Sequence, residues 1–437
     1  MRRVVVTGLG VVSPLGVGKE EHWQALVSGR SAIARSRRLA AQGFPVDIAA
    51  EISLPALKQH FYRLPRKQVK LFSRVALFGM IASSLAADDA GLGGCAMDPT
   101  RFGVLLGTFF TTLEFPMFLR WMAEAESMEI RDTMDESKAN AHCMTSINPI
   151  DYSLKTMPNL AAGHIAIAHN AQGFCRVIAD GCTAGLQAIG QAYRAIKEDR
   201  LDIALCGGSE APLEEFVFLN LCTLGFLAPG GDDPEKVCCP FGRARKGAVL
   251  GEGGGMLVLE EMERALQRGS RIYGEILGFG VSAGDTGIGC RWAAGSQEST
   301  VDSIEVRLKL AMQAALGKAG VDRVDLIAAN GDSMASHDLA ESLAIQEAFG
   351  PGAGRIPISA MKPAHGHLVS GSGAVELISC LLAFEYGMIP PNLNLDNPDP
   401  QCGLDFVSSQ GRARQIRTAL VNSVGLFGES ASLIVQR

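Results

Sequence analysis

The chain has 437 residues, of which 47% are hydrophobic and 50 are glycine, and its formal net charge at pH 7 is −6. This length can bury a large core, as one double-sized domain or as two domains. The acidic balance argues against a general nucleic-acid binder. Eleven cysteines without regular spacing indicate reduced thiols and a cytoplasmic location. The sequence predicts no membrane span, because no charge-free apolar run reaches about 20 residues.

Strand-like and helix-like segments alternate along the chain, which indicates an α/β fold with buried strands. Strands are predicted at residues 3–7, 102–106, 175–179, 203–206, 255–259, 273–279, 326–329, 419–422 and 433–436. Helices are predicted at residues 75–87, 183–198, 304–319, 339–349 and 373–386. A stretch rich in glycine, proline and charge, residues 229–250, is predicted to be a loop.

The glycine-rich N-terminus invites a dinucleotide-binding interpretation. Gly8 and Gly10 follow a predicted strand, but Ser13 stands where the third glycine of that fingerprint belongs. Pro14 and Gly16 then make a poor start for a helix. The pattern therefore argues against a bound dinucleotide, and no cofactor is expected.

Cys182 lies where a short apolar strand turns into a helix. Leu186, Ile189 and Ala192 form one face of that helix, so the thiol stands at its N-terminus. The helix dipole and unpaired backbone N–H groups there lower a thiol pKa. We therefore expect an accessible, reactive nucleophile. The alternative is a buried cysteine that packs as a small hydrophobic residue.

The second half repeats this arrangement at residues 358–384, where an apolar start, a small-residue turn and a helix follow one another. Lys362, His365 and His367 occupy the turn that corresponds to Cys182. The repeat suggests a duplicated fold with the active site between its halves. Two histidines at i and i+2, without clustered acidic or cysteine partners, are a weak signal for metal, and no metal site is predicted.

Five segments carry a resemblance to a known family: residues 2–16, 180–185 (DGCTAG), 251–280, 362–376 (KPAHGHLVSGSGAVE) and 389–407. With them the chain resembles the elongating β-ketoacyl-acyl-carrier-protein synthases (synthase II) of the thiolase superfamily. The resemblance implies a five-layered αβαβα sandwich built from two βαβαβαββ halves, here placed at residues 1–258 and 259–437. It also implies a dimer with active sites near the interface.

The resemblance also implies the site residues. Cys182 matches the nucleophile that takes an acyl chain from acyl carrier protein. His367 and Lys362 match groups that help decarboxylate malonyl-carrier protein, and Glu376 matches a buried supporting glutamate. Substrates arrive on the phosphopantetheine arm of the carrier protein, so the expected partners are that protein and a second ketosynthase-like subunit or a second copy of this chain.

The chain departs from the family at residues 328–338, AANGDSMASHD. Asn330 replaces the family's first catalytic histidine, and Asp332 and Met334 replace two threonines that hold the pantetheine arm. An amide can donate a hydrogen bond but cannot act as acid or base. An anion at Asp332 would repel a developing enolate if it faced the site.

Further departures concern the expected acyl tunnel and its gate. The family's C-terminal GFGGTN loop reads NSVGLFGES here, with Val424 near the gate and with Leu426 and Phe427 crowding the turn. Phe109 and Phe110 fall where the family lines its acyl pocket. Ordinary core packing is the alternative for both phenylalanines.

Four basic residues close to one another offer a docking surface for the acidic carrier protein: Arg66, Lys67, Lys70 and Arg74. In an acidic chain such a patch can steer an acidic partner by electrostatics. A solvated helix face is the equal alternative.

Two functional hypotheses follow. In the first, the chain resembles the chain-length-factor subunits of type II polyketide synthases, and it pairs with an active ketosynthase and shapes the acyl tunnel. Such partners usually lack the cysteine, which this chain retains. In the second, it is a self-sufficient condensing enzyme or acyltransferase that uses Cys182, Asn330 and His367. A degradative thiolase is disfavoured, because residues 422–430 offer no second cysteine.

Overall fold

The computed structural model describes residues 2–65, 67, 69–109, 119, 122–123, 135–146, 155–284, 297–426 and 428–437. The strands are β1 (Val4–Ser13), β2 (Gly16–Val17), β3 (Ala34–Arg35), β4 (Ile48–Ala49), β5 (Phe102–Gly107), β6 (Cys175–Ile178), β7 (Ile203–Glu210), β8 (Gly253–Glu261), β9 (Gly274–Ser282), β10 (Leu326–Ala328), β11 (Pro357–Ser359), β12 (Met388–Ile389), β13 (Asp405–Phe406), β14 (Arg412–Ala413), β15 (Thr418–Val424) and β16 (Ser430–Gln436).

The helices are α1 (Lys19–Val27), α2 (Arg37–Ala41), α3 (Leu54–Lys58), α4 (Arg74–Asp89), α5 (Glu136–Ser146), α6 (Pro158–Ala168), α7 (Ala184–Lys197), α8 (Glu215–Thr223), α9 (Met262–Gln267), α10 (Gln297–Ala319), α11 (Ala335–Phe349), α12 (Lys362–His365) and α13 (Ser372–Tyr386). Each strand and helix predicted from the sequence overlaps an observed element of the same type. The predicted loop at residues 229–250 contains one short 3-10 turn, Pro234–Lys236.

The sheet shows that the fold is duplicated. One half follows the order β6-β5-β7-β8-β1 and the other the order β11-β10-β15-β16-β9. In each half two parallel pairings are followed by two antiparallel pairings in the same positions. Because β9 also pairs with β1, the two halves join into one continuous sheet path. The expected pair of similar halves is therefore confirmed.

Five layers follow from how the helices pack on this sheet. Helix α4 covers the first half, and α10 together with α11 covers the second. Between the halves, α7 and α13 contact each other as well as strands of both halves. This is the thiolase-like αβαβα sandwich that the resemblance implies.

The central helix α13 is unusually apolar. With the turn before it, the stretch Val369–Tyr386 has the length and composition of a membrane span, but 89% of it is buried inside the molecule. Its environment is the protein core, between the two halves of the sheet.

The boundary between the halves lies later than the sequence placed it. Residues 258 and 259 both lie inside β8, which pairs with β1 and β7 of the first half. The second repeat begins only with β9, so the transition falls between Gln267 and Gly274. The apolar run of β8 gave no sign in the sequence of which half it completes.

The N-terminal glycines serve packing. Gly8 and Gly10 lie inside β1, and a Cβ on either would collide with a backbone carbonyl of α4, at Ala86 and Ala82 respectively. Glycine is required here because strand and helix approach so closely.

Candidate active site

The expected site residues meet at the carboxyl ends of parallel strands, the usual place for a site in an α/β sheet. Cys182 lies in the 3-10 turn Gly181–Thr183 between β6 and α7. Lys362 follows β11, which occupies in the second half the place that β6 has in the first. Asn330 follows the neighbouring strand β10. The predicted correspondence between the cysteine turn and the lysine–histidine turn is confirmed by this topology.

The site contains a buried ion pair between Lys362 and Glu376. The Lys362 Nζ donates to Glu376 Oε1 at 2.9 Å, and both side chains are 1% exposed. Lys362 Nζ also donates to the backbone carbonyl of Asn330. Burial lowers the pKa of Lys362, but the charge and hydrogen bond of Glu376, together with the charges of Asp332 and Glu341, raise it more, so the net pKa is raised. Lys362 is therefore a fixed ammonium.

His367 presents one ring nitrogen to the site. Its Nδ1 accepts a hydrogen bond from the Val369 N–H at 2.9 Å. The proton of the neutral ring therefore resides on Nε2, which is buried without a hydrogen-bond partner. Burial first, and then the charge of Lys362, lowers the pKa of His367 to about 3. His367 is thus a neutral N–H donor, the form that suits a developing oxyanion.

Asn330 is held in place on both its backbone and its side chain. Glu341 accepts the backbone N–H groups of Asn330 and Gly331, each at 2.9 Å. The Asn330 Oδ1 accepts from the Val424 N–H at 3.2 Å and from Lys362 Nζ at 3.4 Å. Its Nδ2 donates to Asp332 Oδ2 at 3.2 Å. The amide is bound within the protein and carries no titratable proton.

Asp332 has a partner that the sequence reasoning missed. His337, one turn into α11, places Nδ1 2.7 Å from Asp332 Oδ2. Asp332 also accepts from the Met334 N–H at 2.9 Å. Burial alone would raise the pKa of Asp332, but the His337 charge lowers it overall, while Asp332 raises the pKa of His337. The expected lone anion is therefore one half of a compensated pair. The sequence places a histidine five residues after Asp332, and this spacing could have predicted the pair.

Cys182 differs from its predicted state. The side chain is buried, at 3% exposure. Burial first, then the charges of Glu429 and Asp332, raises its pKa well above the ordinary value. The expectation of an accessible thiol with a lowered pKa is therefore wrong. Removal from water and the nearby carboxylates raise the thiol pKa by more than the helix N-terminus lowers it. The carboxylates belong to segments that are distant from Cys182 in the sequence.

Buried apolar side chains pack around the thiol. Cys182 belongs to a buried cluster that includes Leu426, with Phe109 packed at its margin. Phe226 of this cluster contacts the His367 ring edge-on, with ring centres 5.5 Å apart. The remaining buried members are Leu39, Ala49, Leu213, Val217, Phe218, Leu221, Leu227, Ala248, Leu250 and Val369.

The structure separates the expected gate residues. Leu426 lies in the cluster of Cys182, whereas the Val424 side chain packs in the core of the second half, with Ile304 and Leu420. Val424 contributes its backbone N–H to Asn330, so its side chain does not stand beside the thiol. The two remaining predicted positions, Phe110 and Phe427, lie outside the described residues.

The expected carrier-protein surface is also divided. Lys67 and Lys70 are exposed, and Arg66 lies outside the described residues. Arg74 instead turns inward, where its Nε donates to Glu252 Oε2 at 2.6 Å. Arg74 is therefore not free to dock a partner, because its charge is needed to balance the buried Glu252.

Two buried glutamates near the thiol were absent from the sequence prediction. Glu210, at the end of β7, accepts hydrogen bonds from the Phe109 N–H and from Ser370. Glu429 lies between Gly181 and Gly425, where a Cβ on either glycine would collide with its carboxylate. Glu429 stands where the family's C-terminal loop has a threonine, and this difference in the sequence could have identified it. Among the described residues, no group of three or more histidines, cysteines or acids could hold a metal ion.

Comparison with known proteins agrees with this fold. The beta-ketoacyl synthase N-terminal domain model matches residues 1–265, and the C-terminal domain model matches residues 273–396. The chain is 32% identical over 438 residues to 3-oxoacyl-[acyl-carrier-protein] synthase 2 of Synechocystis, covering 100% of this chain and 98% of the relative.

Two solved structures are similar over the whole chain. One shows a type II PKS acyl-carrier protein in complex with its ketosynthase bound to the hexaketide, with a TM-score of 0.82 and 29% identity, and covers 100% of this chain and 99% of that one. The other is the ishigamide ketosynthase/chain length factor, with a TM-score of 0.82, 28% identity and the same coverage. The fold is the thiolase-like fold of the ketosynthases. The chain belongs to the beta-ketoacyl synthase family.

Proposed function

We propose that the protein is a partner subunit of an active ketosynthase in a type II fatty acid or polyketide system of the cytoplasm. In this role it shapes the tunnel that holds acyl chains delivered by acyl carrier protein. The solved relatives support such a setting, since one binds a carrier protein and another is a ketosynthase/chain length factor. The proposal does not require that the chain condense substrates alone.

The observation that carries the proposal is the state of Asn330. Its amide oxygen accepts from Val424 and Lys362, and its amide nitrogen donates to Asp332. Decarboxylation of a malonyl thioester leaves negative charge on the thioester oxygen, which needs donors aimed at it. His367 offers one such donor, but the position that holds a histidine in the family is neutral and internally bonded. We therefore expect weak decarboxylation by this chain alone.

The edge of the sheet supports a partner subunit. Strand β6 ends the sheet path with one edge unpaired in the described chain, and its residues Cys175 and Arg176 are exposed. An unpaired edge can accept a second strand. The cysteine turn follows this strand directly, so a partner bound there would lie close to the apolar cluster of Cys182.

Decarboxylation of malonyl-carrier protein by the purified chain, with and without a co-expressed ketosynthase, tests the proposal. We expect the chain alone to be slower than an ordinary elongating synthase by about 10²–10⁴, the usual effect of losing one acid/base or charge-stabilising group. Asn330→His should recover part of the loss. Condensation by the isolated chain at ordinary rates would refute the partner role.

Cys182 and His367 favour a second candidate, a self-sufficient condensing enzyme or acyltransferase. The thiol lies in the apolar cluster whose Phe226 contacts the His367 ring, and the His367 Nε2–H has no partner among the described residues. Acyl transfer from a thioester needs a nucleophile and a donor for the oxyanion, and these two groups can supply them. The oligomeric state separates the candidates. A homodimer that turns over substrate favours this one, and a protein that is stable only with a second ketosynthase-like chain favours the partner role.

The tunnel proposal has its own test. Phe109 packs at the margin of the Cys182 cluster, and Phe110 is the next residue in the sequence. We expect Phe109→Ala and Phe110→Ala to lengthen the products of the complex more than they lower turnover, as product profiling by mass spectrometry would show. An unchanged length distribution with intact protein would mean that both residues are core packing only. The exposed Lys67 and Lys70 are proposed to dock the carrier protein.

A further inference from the structure

A polar groove lies at the end of the second half that is opposite to the active site. It measures about 760 Å³ and adjoins the amino ends of the parallel strands β10 and β11, since Asp325 and Ile356, the residues directly before those strands, line it. Asn330 and Lys362 follow the carboxyl ends of the same strands. The groove is therefore separate from the site around Cys182.

Three arginines line this groove without a carboxylate partner. Arg323, Arg355 and Arg414 are all exposed. Within the part of the chain that the structure describes, their guanidinium groups form no ion pair and no hydrogen bond. The donors of all three side chains are therefore available to a ligand from solution.

The acids of the groove do not neutralise these arginines. Asp325 Oδ2 accepts the backbone N–H groups of Arg417 and Thr418, at 2.8 and 3.1 Å. Asp322 is the second acid of the lining and is exposed, and no cation of the described chain pairs with it. The C-terminal end of α11, at Phe349, adds only partial negative charge. An anion in the groove would therefore be held by the arginines and not by a helix dipole.

The equivalent end of the first half shows how the same fold neutralises its arginines. There β5 and β7 occupy the places of β10 and β15. Arg101, directly before β5, donates from Nε to Asp202 Oδ2 at 2.7 Å, and Asp202 directly precedes β7. Asp202 also pairs with Arg2 at 2.6 Å. In the second half Asp325 and Arg417 hold these two positions, but they meet through a backbone N–H. The arginines of the groove thus keep charges that the first half compensates internally.

We propose that this groove binds a small organic molecule that carries two or more phosphate groups. A guanidinium group donates two parallel hydrogen bonds to a phosphate, and three such groups suit the several oxygens of a diphosphate. A single carboxylate would engage one arginine and leave two unpaired. The volume lies within the range of about 300–1,000 Å³ that is usual for small-molecule sites. Phe349, which is partly buried, offers an apolar surface to the rest of the ligand.

Isothermal titration calorimetry of the full chain with inorganic pyrophosphate, in a buffer without divalent cations, tests this site. Tricarballylate, which carries three carboxylates, is the second probe and separates recognition of phosphate from attraction of any anion. The variants are Arg355→Gln, Arg414→Gln and Arg355→Lys. Arg37→Gln is the matched control, because Arg37 is also exposed, lies in α2 away from the groove and loses the same charge.

The wild-type chain should bind pyrophosphate saturably and more tightly than tricarballylate. Arg355→Gln and Arg414→Gln should each weaken binding by about tenfold, because each removes hydrogen bonds to a charged group. Arg355→Lys keeps the charge but loses the planar pair of donors, so it should recover only part of the affinity that Arg355→Gln loses. Arg37→Gln should bind as the wild type does.

Three results would overturn the proposal: no saturable binding at millimolar pyrophosphate, tighter binding of tricarballylate, or equal weakening by Arg37→Gln, which would show attraction by net charge alone. Arg355→Lys with wild-type affinity would overturn recognition through the guanidinium group. None of these measurements uses an acyl thioester or a second subunit. The outcome is therefore independent of the function proposed for the site around Cys182.

Discussion

The pair formed by Asp332 and His337 predicts a specific dependence of stability on pH. Both side chains are buried, and His337 Nδ1 lies 2.7 Å from Asp332 Oδ2. The folded-state pKa of His337 is raised above 6.5, so its contribution is complete below that pH and is lost as pH rises through the folded pKa. The folded-state pKa of Asp332 is lowered from 3.8, so its contribution is complete above that value and is lost as pH falls. The pair should stabilise most between about pH 4 and 6.5.

The perturbation is His337→Gln, which removes the cation and leaves Asp332 buried. Removing one partner of a buried ion pair costs about 3–5 kcal/mol of unfolding free energy. The wild-type protein should also lose up to about 1.4 kcal/mol per pH unit above pH 6.5, because folding there requires uptake of one proton. His337→Gln should lack the part of the slope that this proton contributes, while the part from Asp338, whose pKa burial raises to about 8, remains. Asp332→Asn combined with His337→Gln should recover most of the loss, since no charge then remains buried.

His22 provides the matched control. It is also fully buried, but it contacts the hydroxyls of Ser13 and Ser379 at 2.8 and 3.1 Å, and burial lowers its pKa to about 3. His22→Gln should therefore lower stability without changing the slope above pH 6.5. Urea denaturation from pH 5.5 to 9, at one fixed protein concentration, measures all four proteins. A slope in His337→Gln equal to that of the wild type would refute the ion pair, as would a double variant no more stable than the single one.

Three further predictions concern the same region. Glu376→Gln should lower the unfolding free energy by about 3–5 kcal/mol in urea denaturation, because Lys362 loses its buried partner. Adding Lys362→Met should restore part of that free energy, and no recovery would contradict a compensated pair. Gly181→Ala should cost at least about 1–3 kcal/mol, since its φ of +56° is strained for any side chain, and a wild-type melting temperature would count against the described turn. Cys182 in the wild-type chain should be alkylated by iodoacetamide at least about tenfold more slowly than the partly exposed Cys95, and equal labelling in peptide mass spectrometry would show that its pKa is not raised.

The fold was largely predictable because buried strands in α/β proteins are marked by apolar runs and small-residue turns. The runs at residues 102–106 and 326–329 give β5 and β10, which occupy equivalent places in the two halves. The order of the strands in the sheet cannot be read from the amino-acid sequence. For that reason the boundary was placed inside β8, whose pairing with β1 depends on tertiary contacts.

The site was predictable where it depends on local chain geometry. The turns that follow β6 and β11 bring Cys182 and Lys362 to equivalent ends of the sheet. The electrostatics were not predictable, because they depend on segments distant in sequence. Glu429 is 247 residues from Cys182 along the chain, yet its charge and the loss of water together reverse the pKa shift that a helix N-terminus alone would give.

The family residues that this chain retains therefore differ in whether they indicate catalysis. Lys362 and Glu376 form a buried pair whose disruption would unfold a marginal protein whether or not catalysis survives, so their presence alone does not indicate turnover. His367 Nε2 and the Cys182 thiol are different. A buried N–H without a partner lowers stability, and a thiol surrounded by carboxylates gains nothing from them in the folded state. The polar atoms of both groups cost stability, and both side chains adjoin the apolar cluster of Cys182. Their retention is therefore accounted for by the acyl transfer that the second proposed function assigns to them.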